Sequence, residues 1–216
     1  MLRAVVFDLD GTIVDSRRDI AASANAALRA VGLPERSEDE IAGFVGEGSR
    51  RLIERAVAPR ADLADLAHTA WMRHYGGHLL DTTRAYPGVR ELLDRLSCPL
   101  AVHTNKPGDF ARAILAGLGL AVRFARVVGS GDGPAKKPDP EGARLLLRAL
   151  GVAAGDAVYV GDSRIDVATA RAAGIPFLGA GWGLGGAREL TLAGAETIAR
   201  TVADLEGLLV AHRDAP

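Results

Sequence analysis

The sequence predicts an α/β fold in which a doubly wound parallel sheet carries an inserted helical domain. Short apolar runs alternate with helical patterns from residue 84 onward. Before them, about 65 residues of consecutive helical pattern follow a single apolar run near the N-terminus. We therefore predict a sheet-based core at residues 1–14 and 84–216 and a helical cap domain at residues 15–83.

The first predicted element is a strand over Ala4–Phe7, because its β-branched and aromatic residues suit a strand buried on both faces of a parallel sheet. Asp8 and Asp10 follow at its carboxyl end, the edge where open α/β sheets bind ligands. Two carboxylates this close repel each other unless a cation or a shared proton stabilises them. The pair therefore indicates a divalent metal.

Gly11 and Thr12 complete the turn after this strand. Gly11 allows a tight turn that presents amide N–H groups to an anion, and Thr12 adds a hydroxyl donor. The alternative is an ordinary strand end, since Asp-Gly is common turn chemistry. The stretch alone leaves both interpretations open.

Four helical patterns make up the insertion. Two are predicted to open with a capping box, in which a serine and an acidic residue three positions later exchange hydrogen bonds. These pairs are Ser16 with Asp19 and Ser37 with Glu40. The third pattern begins at Ser49, and the fourth ends before the glycines at 76 and 77. We expect the insertion to act as a lid over the sheet edge, with hinges near residues 15 and 83–87.

The remaining chain alternates regularly. Predicted helices lie at 89–96, 111–118, 140–150 and 164–173, and predicted strands at 100–102, 124–128, 157–160 and 175–178. Asp139 is the expected cap of the third of these helices, with Pro140 as its first residue. A glycine-rich loop at 179–186 and a weaker helix, strand and helix follow.

Polar side chains follow the predicted strands of this region. They are Thr104, Asn105, Lys137, Asp162 and, one helical turn later, Asp166. In a doubly wound sheet these loops converge with the first strand end, so four carboxylates meet one lysine and one threonine. That set describes a magnesium site with an anion clamp. Singly, each residue has an ordinary alternative as a turn residue, a solvated loop residue or a helix cap.

Lysine is rare in this chain, because among 26 basic residues only Lys106, Lys136 and Lys137 are lysines. A lysine in one of these loops indicates chemistry that requires a compact point charge rather than the planar fork of arginine. Both Lys136 and Lys137 qualify. We favour Lys137 because Pro138 restricts its backbone.

Composition excludes several other classes. A formal net charge of −1 argues against a nucleic-acid or membrane surface held by electrostatics. No apolar run approaches a membrane span and no signal peptide precedes the first strand, so a cytoplasmic protein is expected. Trp71 and Trp182 suit either a core or a dimer contact, which leaves monomer and homodimer open.

Four stretches resemble the ordered motifs of the haloacid dehalogenase superfamily of phosphohydrolases. They are FDLDGT, HTNKP, KKPDP and VGDSRIDVATARAAG, in the superfamily's order across nearly the whole chain. TNKP, the GDSRxD form of the last motif and GEGSRRLIERA in the insertion are most similar to its phosphoglycolate phosphatases. The resemblance implies a Rossmann-like core with a cap, and Mg²⁺-dependent hydrolysis of a small phosphorylated metabolite, 2-phosphoglycolate above others. The glycine-rich loop, GWGLGG here, varies in the superfamily, so its role stays open.

The resemblance also implies residue roles. Asp8 would be the nucleophile that forms an aspartyl-phosphate, and Asp10 the general acid and base. Asp8, the backbone carbonyl of Asp10 and Asp162 would bind Mg²⁺, with Asp166 as a further ligand or a neighbour of the ligands.

Further residues would bind substrate by the same resemblance. Thr104 and Lys137 would hold the phosphoryl oxygens, helped by backbone amides near Asp10, Gly11 and Asn105. The loop at residues 46–51 resembles a specificity loop, where Arg50 or Arg51 could bind a small carboxylate. The alternative is that both arginines lie on a solvated helix face.

Other functions remain as alternatives. A nucleotide, a sugar phosphate or pyrophosphate could replace 2-phosphoglycolate, and a phosphoglucomutase-type transferase would use the same aspartate pair with a bisphosphate activator. A signalling receiver domain also phosphorylates an aspartate, but it is much shorter and lacks the insertion. An inactive binding module on this fold is disfavoured by the intact set of carboxylates.

Overall fold

The computed structural model describes the backbone of residues 2–214 and the side chains of residues 2–212. The strands in this part of the chain are β1 (Ala4–Phe7), β2 (Val14–Asp15), β3 (Arg84–Ala85), β4 (Leu100–Pro107), β5 (Arg126–Ser130), β6 (Ala157–Gly161), β7 (Phe177–Ala180) and β8 (Ile198–Ala199). The α-helices are α1 (Arg17–Ala30), α2 (Glu38–Ala42), α3 (Ser49–Ala56), α4 (Ala64–Gly77), α5 (Val89–Arg95), α6 (Gly108–Gly117), α7 (Glu141–Leu150), α8 (Arg164–Ala173), α9 (Gly186–Leu192) and α10 (Val202–Asp214).

A six-stranded sheet forms the centre of the molecule, in the order β5-β4-β1-β6-β7-β8, and its paired strands all run parallel. The chain builds outward from β1 through β4 to β5, then returns to pair β6 on the other side of β1. The topology therefore reverses at β1, where doubly wound sheets bind their ligands. This arrangement confirms the predicted Rossmann-like fold.

Both faces of the sheet are covered by apolar side chains. Val5 and Phe7 of β1 belong to the cluster on one face, and Ala4 and Val6 belong to the cluster on the other. Alternate residues of a strand point to opposite faces, so a strand buried on both sides has a continuous apolar sequence. All of β1 is buried, as its sequence predicted.

The helices α1 to α4 lie between β2 and β3 and share an apolar cluster of their own, which includes Leu28, Ile41, Ile53 and Trp71. β2 and β3 pair antiparallel through Val14 with Ala85 and Asp15 with Arg84. The sequence did not predict this two-stranded ribbon, because two residues are too few to show a strand pattern. The ribbon lies at both predicted hinges.

One of the two predicted capping boxes is confirmed and the other is wrong. Ser37 accepts a hydrogen bond from the Glu40 backbone, and the Glu40 side chain accepts one from Ser37. At α1, Ser16 makes no side-chain cap and instead donates its hydroxyl to Asp10 Oδ1. Asp19 accepts hydrogen bonds from residues 82 and 83. Both side chains are buried, and each forms hydrogen bonds with residues outside α1 instead of with the first turn of that helix.

Several boundaries differ from prediction because pairing, and not local pattern, fixes them. β4 continues past residue 102 because Pro107 pairs with Ser130 of β5. β7 begins at Phe177 and not at residue 175, in register with Tyr159 of β6. Pro140 occupies the N-cap position of α7 and does not start the helix, while the Asp139 side chain accepts a hydrogen bond from the backbone N–H of Glu141 at 2.8 Å.

The described helices include none that is long and apolar enough to cross a membrane.

Candidate active site

Three buried aspartates meet at the carboxyl ends of β1 and β6. Asp8 follows β1, Asp162 follows β6, and Asp166 lies in the first turn of α8. One carboxylate oxygen from each lies within 4.8 Å of the other two. The sequence predicted this convergence from the strand ends, and the structure brings these three together.

Burial of the aspartate cluster disfavours the ionised form of its carboxyl groups. Burial, which the nearby Lys137 offsets only in part, raises the pKa of Asp8 to about 7. Burial, followed by the charges of Asp166 and Asp8, raises the pKa of Asp162 well above its usual value. Additional positive charge is therefore required to hold Asp8 and Asp162 ionised together.

The cluster fits a divalent cation. Oδ1 of Asp8 is buried and has no hydrogen-bond partner within the described part of the chain. Its 2.9 Å contact with Lys137 Nζ is an ion pair without hydrogen-bond geometry. Carboxylate oxygens are preferred ligands of hard divalent cations, and such a cation would supply the missing partner.

Lys137 is the cation that the structure already provides. Its ammonium lies 2.7 Å from Asp166 Oδ1 as well as contacting Asp8. Burial alone would lower the pKa of Lys137, but Asp166 and Asp8 raise it well above its usual value, so the side chain is charged. Lys136 is exposed, so the structure supports the choice between the two lysines.

Asn105 fixes the loop that carries Lys137. Its Oδ1 accepts from the Lys137 backbone N–H at 2.8 Å, and its Nδ2 donates to the Lys137 carbonyl at 3.0 Å. The same Nδ2 lies 2.9 Å from the carbonyl of Gly46 in the insertion. The Asn105 side chain thus joins β4 and the Lys137 loop to the insertion.

Asp10 lies beside the cluster, with its carboxylate in a separate ion pair. Lys106 Nζ lies 2.8 and 2.9 Å from the two Asp10 oxygens, and Ser16 donates to Oδ1. Burial would lower the pKa of Lys106, but the charge of Asp10 raises it above its usual value. Sequence reasoning did not place Lys106 or Ser16 in the site. The rarity of lysine was the signal that could have identified Lys106.

Gly11 and Thr12 both support Asp162. Thr12 donates its hydroxyl to Asp162 Oδ1 at 3.2 Å, and this bond, not one to an anion, is what the structure shows. Gly11 has φ of +81°, and a Cβ there would lie 2.1 Å from Asp162 Oδ2. Only glycine fits this position.

The glycine-rich loop after β7 also orients Asp162. The backbone N–H groups of Leu184 and Gly185 donate to its Oδ2 at 2.8 and 3.3 Å. A Cβ on Gly183 would lie 2.2 Å from the Asp162 Cβ. The loop's role, which the sequence left open, is therefore to hold this carboxylate. Asp162 is not the cap of α8, because Ser163 makes that cap in a box with Asp166.

A cavity of about 90 Å³ separates the sheet edge from the insertion. Its lining includes Asp8, Asp10, Thr104 and Lys106 from the core and Trp71 from the insertion. The Thr104 oxygen accepts a hydrogen bond from the backbone N–H of residue 106, which leaves its hydroxyl proton free to donate.

The two arginines predicted to bind substrate do not line this cavity. Arg50 pairs with Glu54 and Asp65, and Arg51 pairs with Glu54. Neither residue therefore lies in the cavity that holds Asp8 and Asp10, although Arg51 lines a second cavity with Lys137.

The sequence matches a known protein family and is similar to known phosphatases. The family model described as haloacid dehalogenase-like hydrolase matches residues 5–180. The phosphoglycolate phosphatase of Chromobacterium violaceum is 37% identical over 217 residues, which covers 96% of each chain. That of Rhodospirillum rubrum is 43% identical over 188 residues, 82% of this chain and 78% of the relative.

Solved structures agree. The crystal structure of a predicted phosphoglycolate phosphatase from Haemophilus somnus superposes with a TM-score of 0.90 at 30% identity. The superposition covers 96% of this chain and 97% of the other.

Proposed function

Because the chain belongs to the haloacid dehalogenase-like hydrolases and is a phosphatase, we propose that it hydrolyses 2-phosphoglycolate to glycolate and phosphate, with Mg²⁺ at the aspartate cluster. The observation that carries the proposal is the meeting of Asp8 with Asp162, Asp166 and Lys137 at the sheet edge, beside the cavity under the insertion. The relatives named above supply the substrate.

In the proposed reaction, Asp8 attacks phosphorus and the phosphate ester bond breaks, so that the phosphoryl group moves to the Asp8 carboxylate. Asp10 donates a proton to the leaving oxygen and then takes one from the water that releases phosphate from Asp8. Lys137 and Thr104 hold the phosphoryl oxygens through the transfer. Bound Mg²⁺ would be held by Asp8, the Asp10 backbone carbonyl, Asp162 and Asp166 and would offset repulsion between carboxylate and phosphate.

Ser16 and Lys106 orient the proton-transfer group. Their contacts with Asp10 fix its carboxylate on the cavity wall, away from the three clustered aspartates. A general acid must lie within hydrogen-bond reach of the atom that it protonates, so this fixed position supports the role proposed for Asp10.

We also propose that residues 15–83 act as a lid that excludes bulk water while the phosphoryl group is on Asp8. Two contacts support this role. Gly46 accepts a hydrogen bond from Asn105 of β4, and Glu47 pairs with Arg164 of α8 at 2.6 Å, so the insertion touches two elements of the core. Movement at the β2–β3 ribbon would open the cavity.

The size of the cavity favours a small substrate. Its volume of about 90 Å³ is well below the roughly 300–1,000 Å³ of pockets for drug-sized ligands. A nucleotide or a sugar phosphate therefore fits this cavity less well than 2-phosphoglycolate. Location in the cytoplasm and assembly as a monomer or homodimer stay predictions.

The test is phosphate release over a panel of phosphomonoesters, measured with Mg²⁺ and with a chelator. We expect preference for 2-phosphoglycolate, loss of activity with chelator, and at least about 1,000-fold lower kcat in Asp8→Asn. Asp39→Asn, the same change at an exposed position, is the matched control and should leave activity intact.

Other outcomes change the proposal in defined ways. Equal activity on unrelated esters would keep the chemistry and reject the substrate. Dependence on a bisphosphate activator would indicate a mutase. Turnover by Asp8→Asn, or full activity with chelator, would overturn the mechanism.

A further inference from the structure

2-Phosphoglycolate has a second anionic group, a carboxylate two bonds from the ester oxygen. Within the described chain, the residues that line the cavity include a single positively charged side chain, that of Lys106. The other charged lining residues, Asp8, Asp10, Asp162 and Glu189, are acidic. A carboxylate entering this cavity would be repelled unless a cation receives it.

Lys106 lies beside the residue that is proposed to protonate the leaving oxygen. Its Nζ is 2.8 Å from Asp10, the group proposed to protonate the ester oxygen. The atoms bonded to that oxygen therefore face Asp10 and its neighbour. For 2-phosphoglycolate those atoms are a methylene group and the carboxylate, so the carboxylate comes within reach of Lys106.

Lys106 can bind an anion without releasing Asp10. An ammonium group has three N–H donors, and two contacts with Asp10 do not exhaust them. Asp10 Oδ1 also accepts a hydrogen bond from Ser16, so that oxygen stays held if Lys106 turns one donor toward a ligand. The side chain is buried, which strengthens a charge-assisted hydrogen bond by excluding water.

Trp71 offers a second donor, from the insertion side of the cavity. It lines the cavity, and its buried Nε1 has no hydrogen-bond partner among residues 2–212. Trp71 stacks on Tyr75 with ring centroids 4.7 Å apart, and Lys106 Nζ lies 4.7 Å from the same Tyr75 ring. Buried indole N–H groups usually find an acceptor, which a bound carboxylate would supply.

We propose that Lys106, together with the indole N–H of Trp71, binds the carboxylate of the substrate and selects short phosphomonoesters with an acidic tail. This inference rests on the proposed function and names the residues that set its specificity. It assigns the recognition of the second anion to Lys106 of the core and Trp71 of the insertion, and not to Arg50 or Arg51.

The test compares 2-phosphoglycolate with 2-hydroxyethyl phosphate, which keeps the length of the substrate and replaces its carboxylate by an alcohol. The readout is the ratio of the two kcat/KM values, because any effect of Lys106 on Asp10 is shared by both substrates and cancels. In Lys106→Met we expect this ratio to fall by about tenfold or more. In Trp71→Phe, which retains the stacking on Tyr75, we expect a smaller fall.

Lys136→Met is the matched control, since it removes the same charge from an exposed neighbour and should leave the ratio unchanged. An unchanged ratio in Lys106→Met would overturn the inference and leave Lys106 a positioning residue for Asp10 alone. If Lys106→Met does not fold, the same ratio measured in Trp71→Phe tests the inference, and an unchanged ratio there overturns it. A fall of this ratio in Arg50→Gln, with no fall in Lys106→Met, would also overturn the inference.

The failure of the proposed function has a different signature. A wild-type enzyme that hydrolyses both esters equally well rejects 2-phosphoglycolate as the substrate, and the inference falls with it. A wild-type preference that survives both the Lys106 and Trp71 changes rejects the inference alone.

Discussion

Asp162 shows how single residues fix the candidate metal site. Its two oxygens accept hydrogen bonds from Thr12 on one side and from Leu184 and Gly185 on the other. Thr12 lies in the turn after β1, and Leu184 and Gly185 lie in the glycine-rich loop after β7, so two loops at the sheet edge supply the donors. The carboxylate is therefore oriented before any cation binds, which lowers the cost of ordering the site.

We expect Gly183→Ala to weaken Mg²⁺ binding and lower activity by about 10- to 100-fold, the range seen when groups that orient metal ligands are changed. The new Cβ would lie 2.2 Å from the Asp162 Cβ and 2.4 Å from the Gly11 carbonyl oxygen, so backbone must shift. The measurement is the Mg²⁺ dependence of phosphate release, with part of the loss recovered at high Mg²⁺.

Gly155→Ala is the control for this change. A Cβ at residue 155 would meet nothing within 4 Å, so its activity and Mg²⁺ dependence should match the wild type. A Gly183→Ala enzyme with wild-type Mg²⁺ dependence would contradict the role of the loop.

The residues predicted from sequence and those missed differ in one respect. Asp8, Asp162 and Lys137 follow strand ends, and a parallel sheet brings strand ends together. Ser16 and Lys106 reach the site through side-chain contacts with Asp10 that no spacing rule encodes. The sequence pattern therefore identifies residues that the sheet brings together at its strand ends. It misses residues that reach the site only through contacts between side chains.

At the scale of elements, Asp19 ties the start of the insertion to its end. From the first turn of α1 it accepts backbone and hydroxyl hydrogen bonds from Thr82 and from Thr83, at 2.6–3.0 Å. Thr83 directly precedes β3, so this clamp lies beside the ribbon that joins the insertion to the core. Burial raises the pKa of Asp19, but the Thr82 and Thr83 hydrogen bonds outweigh it and lower the pKa below its usual value.

Asp19→Asn should lower the free energy of unfolding by about 2–3 kcal/mol at pH 7, because the buried threonine donors lose a charged acceptor. The pKa of Asp19 is lower in the folded state than in the unfolded state. Its stabilisation is therefore present above the unfolded value of about 3.9 and is lost as the pH falls through the folded value. Urea unfolding of both proteins from pH 7 to pH 3 should show the difference narrowing below about pH 4.

Asp39→Asn provides the comparison, since Asp39 also lies in the first turn of a helix but is exposed. It should change the unfolding free energy by no more than about 0.5 kcal/mol. A difference for Asp19→Asn that stays constant down to pH 3 would refute the charge-based account of the clamp.

At the scale of the whole molecule, the fold concentrates acidic groups at one edge of a protein with a net charge of only −1. The apolar faces of the sheet must stabilise this arrangement, because the buried carboxylates repel one another. A cation that binds only the folded state would relieve the repulsion and stabilise the entire chain.

We expect Mg²⁺ at 100 times its Kd to raise the free energy of unfolding by about 2.7 kcal/mol. Asp162→Asn should lose this effect, and in chelator it should melt above the wild type because one crowded charge is gone. Thermal unfolding in MgCl₂ and in chelator measures both. An equal Mg²⁺ shift in wild type and variant would place the cation elsewhere.

Much of the architecture could be predicted from the sequence, because apolar runs such as residues 4–7 and 157–160 are typical of strands buried on both faces. The β2–β3 ribbon could not, since its two-residue strands exist only through their pairing. The extent of β4 beyond residue 102 likewise depends on β5. Local pattern determines which of the longer elements form, whereas tertiary pairing creates the two-residue strands and sets where β4 ends.

The most direct test of the account is to trap the phosphorylated residue. Rapid quenching during turnover of 2-phosphoglycolate, followed by borohydride reduction, converts an aspartyl-phosphate to homoserine that peptide mass spectrometry can locate. We predict homoserine at position 8, dependent on substrate and Mg²⁺, with Asp10 unchanged. Homoserine at another aspartate, or turnover by Asp8→Asn at the wild-type rate, would contradict the assignment of Asp8 as the nucleophile.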